Sequence, residues 1–292
     1  MKKIKLRKFL KDSLNQKFRK GQGHRKEKGV HNETPYIHST NTYRTYKQQC
    51  DKFCDWCYEH EYRTPEEALA HVKEYGAYLE EQKESAWTIY TAMCAIAKAF
   101  DVRTTDFDGY KPPKRERKNV KRSRGTAKRD AQFSKEKEDN KNLVLFCMAT
   151  GIRRRELEAL AGESLYIEED GTAYVYVENG KGGKKRLAQI IGTEEEIQAV
   201  IDMMKNAGKN RVFSRVNTKL DVHYYRSVYA CRFYKMIARK AEEIPKTDRY
   251  ICRKDKAGIV YDKKAMLRVS KNLGHNRIDV IANSYLHNLE DV

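Results

Sequence analysis

Apolar residues recur along this chain at helical intervals. Leu6, Leu10, Leu14 and Phe18 fall four apart, which predicts a short amphipathic helix before the break Gly21-Gln22-Gly23. From Ser39 a second stripe begins: Tyr43, Tyr46, Cys50, Phe53, Cys54 and Cys57 sit at steps of three and four on one helix face. Thr64, Pro65 and Glu67 form a helix start, with a capping hydroxyl, a proline at the first helical position and a carboxylate three residues after the cap. A third helix is predicted from Ser85 to Phe100, with Ile89, Met93, Ile96 and Phe100 inward. Three or four such helices make a small all-α domain over residues 35–105.

The pattern then changes. Residues 111–129 hold ten Lys/Arg and one Glu around Pro112-Pro113. With so little to bury, residues 106–130 read as an extended basic linker. Beyond it, Leu143, Leu145, Phe146 and Met148 place a helix over 134–149, and another runs from Ile152 to about Leu160. Strand-like stretches follow at 164–167, 173–177 and 185–191. Asp170-Gly171 turns the first pair, and Gly180-Lys181-Gly182-Gly183 the second. Thr193, with Glu196, caps a helix through Met204. The rest reads as helical apart from Tyr250-Ile251-Cys252 and Gly258-Ile259-Val260-Tyr261, which suggest an extra hairpin. The predicted class is α+β, mainly α. Residues 1–34 form a basic N-terminal arm, 35–105 a helical domain, 106–130 the linker, and 131–292 a mostly helical domain with a small antiparallel sheet.

Charge narrows the partner. Sixty Lys/Arg against 41 Asp/Glu leave a net charge of +19, an excess that repels itself unless a polyanion is near. Nucleic acid is the commonest such partner. An anionic membrane would call for a basic amphipathic helix or a lipidation signal, and neither is clear. No run of eighteen apolar residues is present, and the basic start has no apolar segment behind it, so we expect neither a membrane span nor a secretory signal. Seven cysteines spread over both halves suggest reduced thiols and a cytoplasmic protein. Cys50, Cys54, Cys57 and His60 raise the question of zinc, but the sulfurs share the stripe of Phe53, where free cysteine acts as a small hydrophobe. Twelve Lys/Arg within residues 1–28 suit either an arm on phosphates or a solvated tail.

Cutting a phosphodiester without a metal requires a nucleophile, cations for the crowded phosphorus, a proton donor for the leaving oxygen and a group to orient the nucleophile. The sequence offers no carboxylate cluster of two-metal type and no phosphate-cradling GxxxxGK[ST] loop. Guanidinium grips two oxygens at once, so Arg153 and Arg226 are candidates for the clamp, with Arg154 and Arg155 as rivals to the first. Glu156 lies on the face of Arg153 and would hold it. Lys181 stands in a glycine-flanked turn, with Lys184 and Lys185 as competitors. His223 and Arg226, three apart, share a helix face, and histidine exchanges protons near neutral pH.

Order and spacing now add up. Thr150-Gly151-Ile152-Arg153-Arg154-Arg155-Glu156-Leu157, then Gly180-Lys181-Gly182, then His223-Tyr224-Tyr225-Arg226, then Leu273-Gly274-His275 and Tyr285 together resemble the tyrosine recombinase (phage-integrase) family over roughly residues 35–287. The resemblance selects Arg153 and Lys181 from their neighbours. It implies Arg153 and Arg226 as the clamp, Lys181 as proton donor, His223 as a proton-exchanging group, His275 as a hydrogen-bond partner of a phosphate oxygen, and Tyr285 as a nucleophile forming a 3′-phosphotyrosyl link. It implies no cofactor, metal or ATP. It further implies double-stranded DNA held between the two domains, a dimer on each site, a homo-tetramer on paired sites, an accessory excision factor and a nucleoid-associated location. In the linker, Lys114, Arg115, Arg117, Lys118, Lys121, Arg122 and Arg124 would lie along DNA phosphates. Three features depart from the pattern: 49 positions separate Arg226 from His275, Ser227-Val228-Tyr229 replaces a His-Thr-Phe type sequence, and seven residues follow Tyr285. A type IB topoisomerase uses the same chemistry, and a non-catalytic DNA-binding protein can share the fold.

Overall fold

The computed structural model describes residues 5–20, 34–116, 131–181, 183–253, 256–286 and 289. The chain divides into two compact units, Met1–Lys121 and Arg122–Val292.

The first unit is helical: α1 Leu6–Lys17, α2 Thr40–Glu59, α3 Pro65–Ala70, α4 Val72–Glu81 and α5 Ala86–Phe100. Its starts follow the local chemistry of the sequence. Thr64 and Glu67 cap α3 reciprocally, and the Ser39 and Ser85 hydroxyls accept backbone N–H groups at the starts of α2 and α5. Phe53, Ile89, Met93 and Ile96 meet at the centre. Cys50, Cys54 and Cys57 pack among them, and burial pushes the Cys50 and Cys57 thiols up to about 12. Such thiols behave as apolar filling.

Two sequence-based boundaries are corrected. Residues 1–34 were expected to stand apart as an arm, yet Leu6, Leu10 and Leu14 of α1 are buried in the first unit's core. The four-residue apolar repeat read in the sequence is what packs, despite the charge around it. The linker was expected from residue 106, but Phe107 is buried, and Tyr110 packs with this core and donates to Glu80 Oε1 at 2.8 Å. The Arg115 guanidinium sits 3.9 Å from the centroid of the Tyr90 ring. Two aromatic anchors among the lysines thus carry residues 107–116 into the first unit.

The second unit contains α6 Ala131–Glu138, α7 Lys141–Thr150, α8 Arg154–Leu157, α9 Glu194–Ala207, α10 Val222–Ile237, α11 Lys263–Asn272 and α12 Asp279–Ser284. The helix expected over 134–149 is two helices, broken at Asp139-Asn140, and the one expected from Ile152 to Leu160 is the single turn α8. Strands β1 Leu165–Ile167, β2 Ala173–Val177 and β3 Arg186–Gln189 form one antiparallel sheet in that order. The extra hairpin is also present: β4 Arg249–Ile251 pairs antiparallel with β5 Val260–Asp262. Its last residue, Asp262, caps α11 by accepting the Lys264 N–H at 2.9 Å. One core cluster lies around α7, β2 and α9, and a second joins α10, α11 and α12. The fold is α+β and mainly helical, as predicted. Among the described residues no helix is long and apolar enough to cross a membrane.

Candidate active site

The site grows from three chain reversals in the second unit. The first follows α7, where Gly151 closes the helix in the left-handed region (φ 60°) and Arg153 becomes the N-cap of α8. Glu156, in the first turn of α8, accepts the Arg153 backbone N–H at 2.9 Å and its Nη1 at 2.9 Å. One carboxylate thereby fixes both ends of that arginine.

A second arginine shares Glu156. Arg186, the first residue of β3, donates from Nη2 to Oε2 at 2.6 Å and from Nη1 to Oε1 at 3.0 Å, while its Nε reaches the Asn272 carbonyl at 2.9 Å. Burial alone would raise the Glu156 pKa. The bonds from Arg186, and then those from Arg153, overcome it and hold the carboxyl down at about 2.

The third group comes from α10 and the turn after α11. Arg226 is 2% exposed, and its Nη1 and Nη2 donate to the carbonyls of Gly151 and Leu273. Its Nε donates to the Tyr285 hydroxyl at 3.2 Å. Burial lowers the Arg226 pKa to about 10, so the group stays charged at neutral pH. Arg153 Nη2 also donates to the Leu273 carbonyl, at 2.9 Å, so both clamp candidates meet on one backbone oxygen.

His275 completes the network. Its Nε2 lies 3.2 Å from the Tyr285 hydroxyl and 3.4 Å from Arg153 Nη2. A guanidinium can only donate, so Nε2 is the unprotonated ring nitrogen, and the phenol proton points to it. Burial, reinforced by the charges of Arg226, Arg153, Lys181 and Arg186, pushes the ring down to about 4. His275 is therefore neutral at pH 7.

Tyr285, 4% exposed, follows α12 and is held on every side. The His223 ring stacks on it at 5.6 Å with an interplanar angle of 7°. Its carbonyl accepts the Ser227 hydroxyl at 2.9 Å and the Cys231 thiol at 3.3 Å. The next carbonyl, Leu286, accepts Tyr261 Oη and Lys256 Nζ, both at 3.1 Å. The extra hairpin thus braces the segment carrying the phenol.

Of the residues singled out from sequence, Arg153, Arg226, His275 and Tyr285 form one hydrogen-bonded set, Glu156 anchors it and His223 stacks on it. Lys181 is exposed in the turn between β2 and β3 and reaches the set through its charge. Lys114 and Arg115 are exposed in the first unit, while Arg117, Lys118, Lys121, Arg122 and Arg124 lie outside the described residues. Sequence reasoning missed Arg186, Ser227, Cys231, Lys256 and Tyr261. Ser227 and Cys231, four apart, carried a detectable shared-face signal. Arg186 carried none among so many basic neighbours.

The chemical capacity is specific: a phenol that receives a hydrogen bond from a cation and gives one to a neutral imidazole, with a second guanidinium beside them. No family model matches the chain, and no curated protein matches it in sequence. Solved structures do match in fold. The Tn1549 transposon integrase in complex with transposon right end DNA superposes with a TM-score of 0.54 at 13% identity, covering 99% of this chain and 96% of that one. The XerH site-specific recombinase, bound to palindromic difH substrate in a post-cleavage complex, superposes with a TM-score of 0.53 at 14% identity, covering 98% and 93%. At these identities the likeness establishes architecture: the chain has the mainly helical fold, with a small antiparallel sheet, of integrases and site-specific recombinases.

Proposed function

We propose that this chain is a site-specific tyrosine recombinase that cuts and rejoins duplex DNA for a mobile element. The observation that carries the reading is the Tyr285 hydroxyl, bonded at 3.2 Å to both Arg226 Nε and His275 Nε2. A tyrosine packed only for stability has no need of a buried cation and a neutral imidazole on one oxygen. Fold likeness to two DNA-bound recombinases and a net charge of +19 support the same substrate.

In the proposed reaction the Tyr285 oxygen attacks a backbone phosphorus and forms a phosphotyrosyl bond to the 3′ end, while the bond to the 5′ oxygen breaks. Arg153 and Arg226 balance the charge gathering on the non-bridging oxygens. Lys181 gives its proton to the departing 5′ oxygen. The phenol proton passes to His275 Nε2. Burial, and then the cations around that ring, keep its proton affinity low, and a phosphate entering among the cations opposes their field and raises it. Attack by the 5′ hydroxyl on the phosphotyrosyl bond reverses every step, so rejoining draws on no ATP. Exchange between two duplexes requires paired sites, each held by a dimer, with four protomers in the synapse, in the cytoplasm at the nucleoid.

The test uses duplexes from the DNA flanking the gene, nicked next to the cleavage position so that the cut strand cannot rejoin. The wild-type chain is expected to form a covalent DNA adduct that survives denaturing electrophoresis. Tyr285→Phe is expected to bind the same DNA and form none. An adduct in Tyr285→Phe would overturn the nucleophile assignment. Products that need only one site, with relaxation of supercoils by a monomer, would point to a topoisomerase instead.

A further inference from the structure

Arg186 has no place in the cleavage chemistry above, yet its contacts reach three of the segments that carry it. Its guanidinium makes a two-point bond with Glu156, the carboxylate that holds Arg153. Its Nε fixes the carbonyl of Asn272, the last residue of α11. Its side chain also runs between two glycines. A methyl group added at Gly180 would lie 3.0 Å from Arg186 Nη1 and 2.6 Å from the Lys184 carbonyl. One added at Gly274 would lie 3.1 Å from Arg186 Cδ. Gly180 immediately precedes Lys181, and Gly274 immediately precedes His275. The side chain is 6% exposed, so these approaches occur in a packed interior where small displacements are resisted.

We propose that Arg186 is a positioning residue that sets the Lys181 turn and the His275 turn against the Glu156–Arg153 pair. The inference rests on the recombinase reading and names which residue keeps its donors in register. A lysine cannot replace it: one ammonium can bond Glu156 or Asn272, but it lacks the planar fork that spans both carboxylate oxygens while Nε holds the carbonyl. Loss of register falls hardest on Lys181, because its exposed turn has no other buried ion pair beneath it among the described residues.

The test uses the full chain with Arg186→Lys, which keeps the charge, and with the double variant Arg186→Gln/Glu156→Gln, which removes both buried charges together. Single-turnover adduct formation on saturating DNA is compared with DNA affinity and with the calorimetric midpoint of the second unit. Cleavage is expected to slow by about 100-fold, the scale of a misplaced proton donor, while affinity changes less than about threefold. A second substrate carries sulfur in place of the bridging 5′ oxygen at the cut, because a leaving thiolate needs no proton. On it, Arg186→Lys and Lys181→Ala are each expected to regain at least about tenfold. If sulfur rescues Lys181→Ala and leaves Arg186→Lys unchanged, the positioning role is overturned. Wild-type rates in the variants, or losses matched by equal losses of affinity and midpoint, overturn it as well. Failure of the wild-type chain to form an adduct would instead refute the recombinase reading.

Discussion

Replacing Glu156 by glutamine tests the electrostatic foundation of the site. The folded chain holds this carboxyl at about 2, against an ordinary value of 4.5. That difference is about 300-fold in proton affinity, or about 3 kcal/mol of stability. A carboxyl whose pKa is depressed by folding contributes fully above its unfolded pKa and loses the contribution as pH falls through its folded value. The wild-type advantage over Glu156→Gln should therefore be about 3 kcal/mol at pH 7 and shrink to about 1 kcal/mol at pH 3. For a unit of this size, 3 kcal/mol corresponds to a fall of roughly 6–12 °C in midpoint at neutral pH. Both tryptophans, Trp56 and Trp87, lie in the first unit, so their fluorescence would follow the wrong transition. Differential scanning calorimetry, which detects the second unit directly, is the appropriate assay. A gap that stays constant from pH 7 to pH 3 would refute the claim that two arginines stabilise a buried carboxylate there.

Two further outcomes are expected. The His275 ring should titrate near pH 4 in histidine-labelled NMR spectra, its signal assigned by loss in His275→Asn; a midpoint near 6.5 would refute its burial among cations. Since folding lowers that pKa, the wild-type chain should lose stability as pH falls from 6.5 towards 4, and His275→Asn should lose less over that window. Asp262 is 1% exposed, caps α11 and accepts Arg239 Nε at 2.7 Å and Nη2 at 2.8 Å, an ion pair that holds its carboxyl well below the usual range. Asp262→Asn should destabilise the second unit by about 2 kcal/mol in calorimetry, the scale of hydrogen bonds to a charged group, and an unchanged midpoint would refute this role.

The parts of the fold legible in the sequence were those with local causes. Thr64 with Glu67, Thr193 with Glu196, and Asp170-Gly171 each act within a few residues, and each was found where the spacing put it. The hairpin at 249–262 was visible for the same reason. Arg153, Arg226, His275 and Tyr285 were legible as an ordered set, and the structure brings the four into one network. What stayed hidden was set by distant packing. Arg186 acquires its meaning from Glu156, thirty residues earlier, and Asn272, 86 residues later. In α1 the apolar repeat was visible, but its neighbours in the core were not, so the helix was assigned to a separate arm.

The brace on Leu286 alters when the freedom of the segment carrying Tyr285 is lost. Fixing one residue's backbone costs about 1–2 kcal/mol of conformational entropy, and here α10 and the β4–β5 hairpin hold the two successive carbonyls of Tyr285 and Leu286 during folding itself. In the proposed reaction the phenol would accordingly meet its target already held in place, with no search left at the moment of attack. On the proposed mechanism, shortening the loop between Ile251 and Val260, which carries the Lys256 contact to Leu286, would hand that search back to every turnover.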